Sequence, residues 1–314
     1  MRSLWLIPVA WLGANLLHAL WIGGRRWRRE RRIRRDAAGV AEGAEAYTVG
    51  SGPVAMLWVH GFADTPQTFR RMAERMAATG ACTCRVMRLP GAAEPLAVAA
   101  RQTQETWLAA VNAEVAALRR GHARVWLLGH SLGGTLALAV ALRDPAAADG
   151  LILLAPLIAV SRRRSPVLSP RLWFRLARVA FVGSRVFESC FAVNAVAADD
   201  PTFTYHRDRF IPFSTYRNLF ALIDEIAPRA AELRAPVFAA LAAEDRVVDT
   251  PVAQQWFAGV VAPKTVRVLP GIAHALPLEG GWQALTDEIV AFVSRAEEDE
   301  RGRMVVDKAE EIVR

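Results

Sequence analysis

The sequence predicts an α/β fold, a mostly parallel sheet with helices on both faces. Three observations carry that prediction. From residue 54 onward, short apolar runs alternate with longer stretches whose apolar residues recur at helical spacing. The chain is 314 residues long and 53% hydrophobic, enough to bury a sizeable core. At 127–135, LLGHSLGGT joins an apolar run to a helical pattern through a glycine-rich turn.

Strand candidates are Val54–Val59, Arg85–Leu89, Val125–Leu128, Leu151–Leu154, Val237–Leu241 and Thr265–Leu269. Helices are expected over Pro66–Ala78, Thr103–Leu118, 132–142 and 282–294, the first two carrying Phe69, Met72 and Met76, and Trp107, Val111 and Val115, on one face. About 80 residues separate Leu154 from Val237, far more than between other strands, and are read as an insertion. Within it, residues 157–213 carry two helical patterns, Arg171–Phe181 and Ser184–Val196, whose Trp173, Phe174, Phe181, Phe187 and Phe191 suggest an apolar lid. Packing of these rings onto the sheet is the simpler alternative for any one of them. Its Arg162-Arg163-Arg164 reads as a solvated surface cluster.

Ahead of the sheet, Leu4–Gly24 runs 21 residues without a charge, long enough as a helix to cross a hydrocarbon layer. Trp5 and Trp21 stand near its ends, where amphipathic rings favour the interface. A cleaved signal peptide is the competing reading, but its charged region would be Arg2 alone. Residues 25–35 (RRWRRERRIRR) hold eight arginines and one glutamate, so nearly all of the net charge of +8 sits there. Positive charge is retained on the cytoplasmic side, which predicts a single-pass anchor with a cytoplasmic domain, attached through residues 4–24 and Arg25–Arg35. Because the basicity is local, no nucleic-acid surface is expected on the folded domain. The organisation is then a transmembrane anchor (1–24), a basic juxtamembrane segment and linker (25–48), the sheet domain (49–299) and a charged tail (300–314). Cys82, Cys84 and Cys190 show neither zinc spacing nor a disulfide framework and read as small buried apolar residues.

The chemistry centres on Gly129-His130-Ser131-Leu132-Gly133. A GxSxG pentapeptide alone is weak evidence. Between strand and helix it is stronger, because a turn that lifts a serine above the sheet needs small residues on either side. No lysine follows as in GxxxxGK[ST], and GxGxxG is absent, so nucleotide binding is not expected. Serine is a poor nucleophile unaided; it needs a histidine base, and the base needs a carboxylate. His274 follows the last strand and Asp245 the strand before it, both at the carboxyl edge where such sheets bind ligands. Glu244 and Asp249 compete with Asp245, but Asp249 precedes Thr250-Pro251 and suits a helix cap. The amides of Leu132, after the nucleophile, and Phe62, in the loop after the first strand, are the expected oxyanion donors.

With HGF at 60–62, GHSLGG at 129–134, EDRVVD at 244–249 and GIAH at 271–274, the sequence resembles the α/β-hydrolase family over about residues 50–295. More narrowly it is similar to bacterial carboxylesterases and monoacylglycerol lipases, sometimes grouped with serine aminopeptidases. Residues 205–238 resemble the end of the lid and the helix leading to the acid strand in that group. The resemblance implies the α/β-hydrolase fold with a helical lid, hydrolysis of carboxylic esters through an acyl-enzyme, and no cofactor or metal. The membrane helix departs from the usual soluble members. The expected substrate is a small-molecule or lipid ester with a hydrophobic acyl group. Thioesterase, amidase, peptidase or acyltransferase chemistry on the same residues is the alternative, and a membrane-held binding protein without catalysis the more distant one.

Overall fold

A computed structural model describes residues 6–163, 167–189, 200 and 202–313, with side chains from residue 7 to 302. Its elements run α1 (Leu6–Glu30), β1 (Tyr47–Val49), β2 (Val54–Val59), α2 (Arg70–Ala78), β3 (Cys82–Met87), α3 (Leu96–Ala99) and α4 (Gln104–Arg119). They continue with β4 (Arg124–His130), α5 (Leu132–Arg143), β5 (Gly150–Leu154), α6 (Pro170–Ala180), β6 (Val186–Glu188), β7 (Phe210–Pro212), α7 (Phe213–Ile226), β8 (Val237–Ala242), α8 (Thr250–Ala258), β9 (Lys264–Leu269) and α9 (Trp282–Val313).

Seven strands form one sheet in the order β1-β3-β2-β4-β5-β8-β9. Only β1 runs antiparallel, pairing Tyr47 with Val86 and Val49 with Cys84. The interior strands are buried along nearly their whole length, as a sheet covered on both faces demands. Alternation along β2 sends Ala55, Leu57 and Val59 to one core with α4, α5, α7 and α8. Met56 and Trp58 go to the opposite core with α2 and α9. Thr103 caps α4 in a reciprocal capping box with Thr106.

Several expectations are corrected. The strand read at Arg85–Leu89 begins three residues earlier, because Cys82, Thr83 and Cys84 are all buried and pair with β2. Cys82 and Cys84 are free thiols pushed up by burial to about 11 and about 12, inert as predicted for buried apolar residues; Cys190 lies outside the described residues. The helical pattern Ser184–Val196 is not a helix where it is described: Val186–Glu188 is β6, paired antiparallel with β7. Positions 190–199, with Phe191, lie outside the described residues, as do Arg164, Pro166 and Pro201. Within the segment read as a linker, residues 37–48 pack on the sheet domain. Val40, Ala41 and Ala44 are buried against Ala93, and the amide of Ala41 donates to the Ala93 carbonyl at 2.9 Å. The charged residues from 300 to 313 continue α9.

Helix α1 is long and apolar enough to cross a membrane, and it lies near the amino terminus, a property shared by anchors and signal sequences. Ile7, Leu12, Leu17 and Leu20 are all more than half exposed. Its other side touches the insertion: Ile22 packs with Val186 and Phe210, and the His18 and Phe181 rings stack 4.6 Å apart. Arg25 forks onto Glu188 of β6 with bonds of 2.8 and 2.7 Å.

Candidate active site

At the carboxyl end of β4 the chain turns sharply into α5, and Ser131 occupies the turn with φ 54° and ψ −117°. A positive φ is costly for any side chain, so the surroundings must over-determine it. The glycines on either side are required by contact rather than by their own angles. A Cβ on Gly133 would lie 1.9 Å from the Val59 carbonyl oxygen, and one on Gly129 would lie 2.3 Å from the Gly133 oxygen. The amide of Ser131 donates to the Leu154 carbonyl at 2.9 Å, which ties the turn to β5.

Three residues from three loops meet here. His274 Nε2 lies 2.9 Å from Ser131 Oγ, and His274 Nδ1 lies 2.8 Å from Asp245 Oδ2. The other carboxylate oxygen of Asp245 accepts the amides of Val247 and Val248 at 2.7 and 2.9 Å. Burial opposes ionisation of Asp245, but the bond from His274 and the two amides outweigh it and hold its pKa below the ordinary value. An ionised carboxylate only accepts, so His274 carries its proton on Nδ1. Nε2 is then left as an acceptor toward the serine hydroxyl. Of the two competitors for Asp245, Asp249 accepts the Val252 amide at 3.3 Å and caps α8, while Glu244 is exposed.

Phe62 lies in the loop after β2, and Leu132 opens α5 directly after Ser131. Among the described residues neither amide donates to a protein acceptor. Ser131 and His274 open into a cavity of about 590 Å³. Its walls are chiefly rings and aliphatic side chains, including Trp173, Phe174 and Phe187 of the insertion and Tyr216 and Phe220 of α7, with Asp64, Arg207 and Arg246 as charged exceptions. Phe174 stacks near Tyr216 and Phe220 at 6.0 and 5.5 Å between centroids. No group of three metal-ligating side chains occurs among the described residues.

Sequence reasoning missed two supports. His130, fully buried beside the serine, donates from Nε2 to the His274 carbonyl at 2.9 Å and so holds the backbone of that residue. Arg207, from the end of the insertion, brings Nε to 3.3 Å from the buried Asp64 of the loop after β2, close enough to pair though not aligned for a hydrogen bond. Their partners lie 144 and 143 residues away, so no local pattern announces them.

Burial, reinforced by neighbouring His274, pushes the His130 pKa from 6.5 down to about 4. The unfolded chain takes up that proton near 6.5 and the folded one only near 4. This contribution to stability is therefore complete above the higher value and lost as pH falls through the interval, by about 3 kcal/mol. His130→Gln places an amide N–H where Nε2 stood, keeping a donor for the His274 carbonyl without titrating. Its urea midpoint should fall less between pH 7 and pH 4 than that of the wild type, and equal falls would remove His130 as the cause.

The sequence profile of the family described as serine aminopeptidase, S33, matches residues 53–281. A thermostable monoacylglycerol lipase of Bacillus sp. (strain H-257) is 36% identical over 106 residues, a match spanning 34% of this chain and only 42% of that relative. Among solved structures, a chain described with the metagenome-derived lipolytic enzymes LipS and LipT gives a TM-score of 0.67 at 20% identity, over 82% of this chain and 99% of that one. The monoacylglycerol lipase of Paleococcus ferrophilus gives 0.66 at 16% identity, over 80% and 98%. A soluble variant of the Saccharomyces cerevisiae monoglyceride lipase also gives 0.66, at 13% identity over 80% and 90%. By fold and by a family match that covers most of its length, the chain belongs to the serine aminopeptidase S33 family, on the α/β-hydrolase fold.

Proposed function

We propose that the chain is a membrane-anchored serine ester hydrolase acting on hydrophobic acyl esters, of carboxylesterase or monoacylglycerol lipase type. One observation carries this reading: the bonded series Ser131–His274–Asp245 stands at the mouth of a large apolar cavity. Ser131 Oγ attacks the ester carbonyl while His274 takes its proton, and Asp245 holds the imidazole in the required tautomer. The amides of Phe62 and Leu132 receive the developing oxyanion. His274 then returns the proton to the leaving alcohol, and water repeats the sequence to release the acid. The rings of α6 and α7 suit an acyl chain. The insertion serves as the lid of a catalytic domain that runs over 49–299.

The identified relative whose name specifies monoacylglycerol supports the lipid side of this reading. Helix α1, ending in a run of arginines, supports an anchor with the domain on the cytoplasmic side. The test is a rate series on p-nitrophenyl esters of rising chain length with the full chain in detergent, together with fluorophosphonate labelling mapped by peptide mass. Turnover should rise beyond the shortest acyl groups and the label should sit on Ser131. Preference for acetate would overturn the lipid substrate, and a label elsewhere the nucleophile. Thioester and amide analogues of the best acyl group, run beside the ester, decide the bond type.

A further inference from the structure

Where α1 leaves its apolar stretch, a second cavity of about 380 Å³ opens between the helix and the β6–β7 hairpin. Its polar walls are Arg25, Arg28, Arg29, Arg32, Arg209 and Glu188. The four residues from α1 and the turn that ends it are spaced i, i+3, i+4 and i+7, which puts them on one face. Glu188 holds two of the five guanidinium groups, Arg25 by a bidentate bond and Arg209 at 2.5 Å. Arg29 donates to the Arg207 carbonyl at 3.2 Å. Among the described residues the guanidinium groups of Arg28 and Arg32 meet no acceptor, so the cavity holds positive charge that the protein leaves uncompensated.

We propose that this cavity binds the phosphodiester of an anionic membrane phospholipid, a reading that rests on the membrane anchor proposed above. A planar guanidinium fork matches two phosphate oxygens at once, and Arg28 and Arg32 are free to offer it. A lipid is the source because of where the cavity lies. The uncharged stretch ends at Gly24, immediately before Arg25, and Trp21 and Trp27 bracket that point as interfacial rings do. Arg25 already lies over the Trp21 ring at 5.1 Å. A headgroup with net negative charge fits; one carrying an ammonium would bring a further cation into a site that already has five against one carboxylate.

The position has a consequence for the cavity beside Ser131. Neighbouring residues of β6 point to opposite sides, so Phe187 lines the apolar cavity while Glu188 faces the arginines. A phospholipid bridging α1 and the hairpin therefore braces one wall of that cavity.

The test is the thermal midpoint of the full chain in dodecyl maltoside, titrated with phosphatidylglycerol, phosphatidylcholine or inorganic phosphate, since a ligand of the folded state raises the midpoint as it saturates. Phosphatidylglycerol should raise it saturably, and the other two should not. R28Q/R32Q should weaken the phosphatidylglycerol effect by at least about tenfold in concentration, as loss of two charge-assisted contacts requires. R26Q/R31Q removes the same charge from exposed positions outside the cavity and should leave the titration unchanged. Equal weakening by both pairs would mean diffuse attraction and overturn the site. So would equal effects of the two lipids, or saturation by inorganic phosphate alone. Fractionation of cells separates the two readings. A chain in the soluble fraction overturns the anchor, whereas a membrane-bound chain indifferent to phosphatidylglycerol overturns the headgroup site only.

Discussion

Ser131→Ala should lower kcat on a p-nitrophenyl ester by a factor on the order of 10⁵ to 10⁶ and abolish fluorophosphonate labelling, with little change in thermal midpoint. The size follows from what is removed. Ser131 Oγ is the atom bonded to His274 Nε2 at 2.9 Å, and without it the base has no proton to take. The fold should survive because the serine holds the turn through its backbone. Its amide bonds Leu154, and its carbonyl accepts the amides of Thr135 and Leu157 at 3.1 and 3.2 Å. Alanine tolerates a φ of 54° no worse than serine does, since both carry a Cβ. A residual rate above the uncatalysed one is expected, because the Phe62 and Leu132 amides remain to polarise the carbonyl for attack by water. A variant that keeps near-normal turnover would remove Ser131 as nucleophile while leaving the family assignment untouched.

That assignment was legible early because the strongest signals in the sequence are local. Strands β2, β4, β5, β8 and β9 sit within two residues of where their apolar runs place them. Ser131 stands out because strand, turn and helix follow one another without interruption. What the sequence hid depends on distance. β1 has only three residues, between Ala46 and Gly50, and only pairing with β3 gives it shape. Phe187 and Phe191 recur at a helical interval, yet Phe187 lies in a strand because Phe210–Pro212 offers it a partner from 20-odd residues away. His130 is a variable position of the GxSxG pattern, and only the fold brings the His274 carbonyl to its ring. The small residues of 37–48 read as a linker because alanine and glycine carry little pattern, and Val40, Ala41 and Ala44 pack all the same.

The arrangement around Asp245 makes the second large effect predictable in its cause as well as its size. Asp245→Asn should cut kcat by about 10⁴-fold while leaving the ester's KM and the fold nearly unchanged. The two amides decide which way the new side chain faces. Val247 and Val248 both donate to Oδ1, so the amide oxygen of asparagine must stay with them, and its NH₂ group turns toward His274 Nδ1. A donor there forces Nδ1 to accept, which moves the imidazole proton to Nε2. That nitrogen then points an N–H at the serine hydroxyl and cannot take its proton. Volume and buried contacts are conserved, so the thermal midpoint should shift by little, and labelling by fluorophosphonate should slow in step with kcat because both need the same proton transfer. Asp245→Ala separates orientation from tautomer, since His274 then loses its partner but is free to carry its proton on either nitrogen. It should retain more activity than the asparagine variant. The reverse order would mean that Asp245 acts by holding the loop at 244–249 and leaves the tautomer of His274 to some other group.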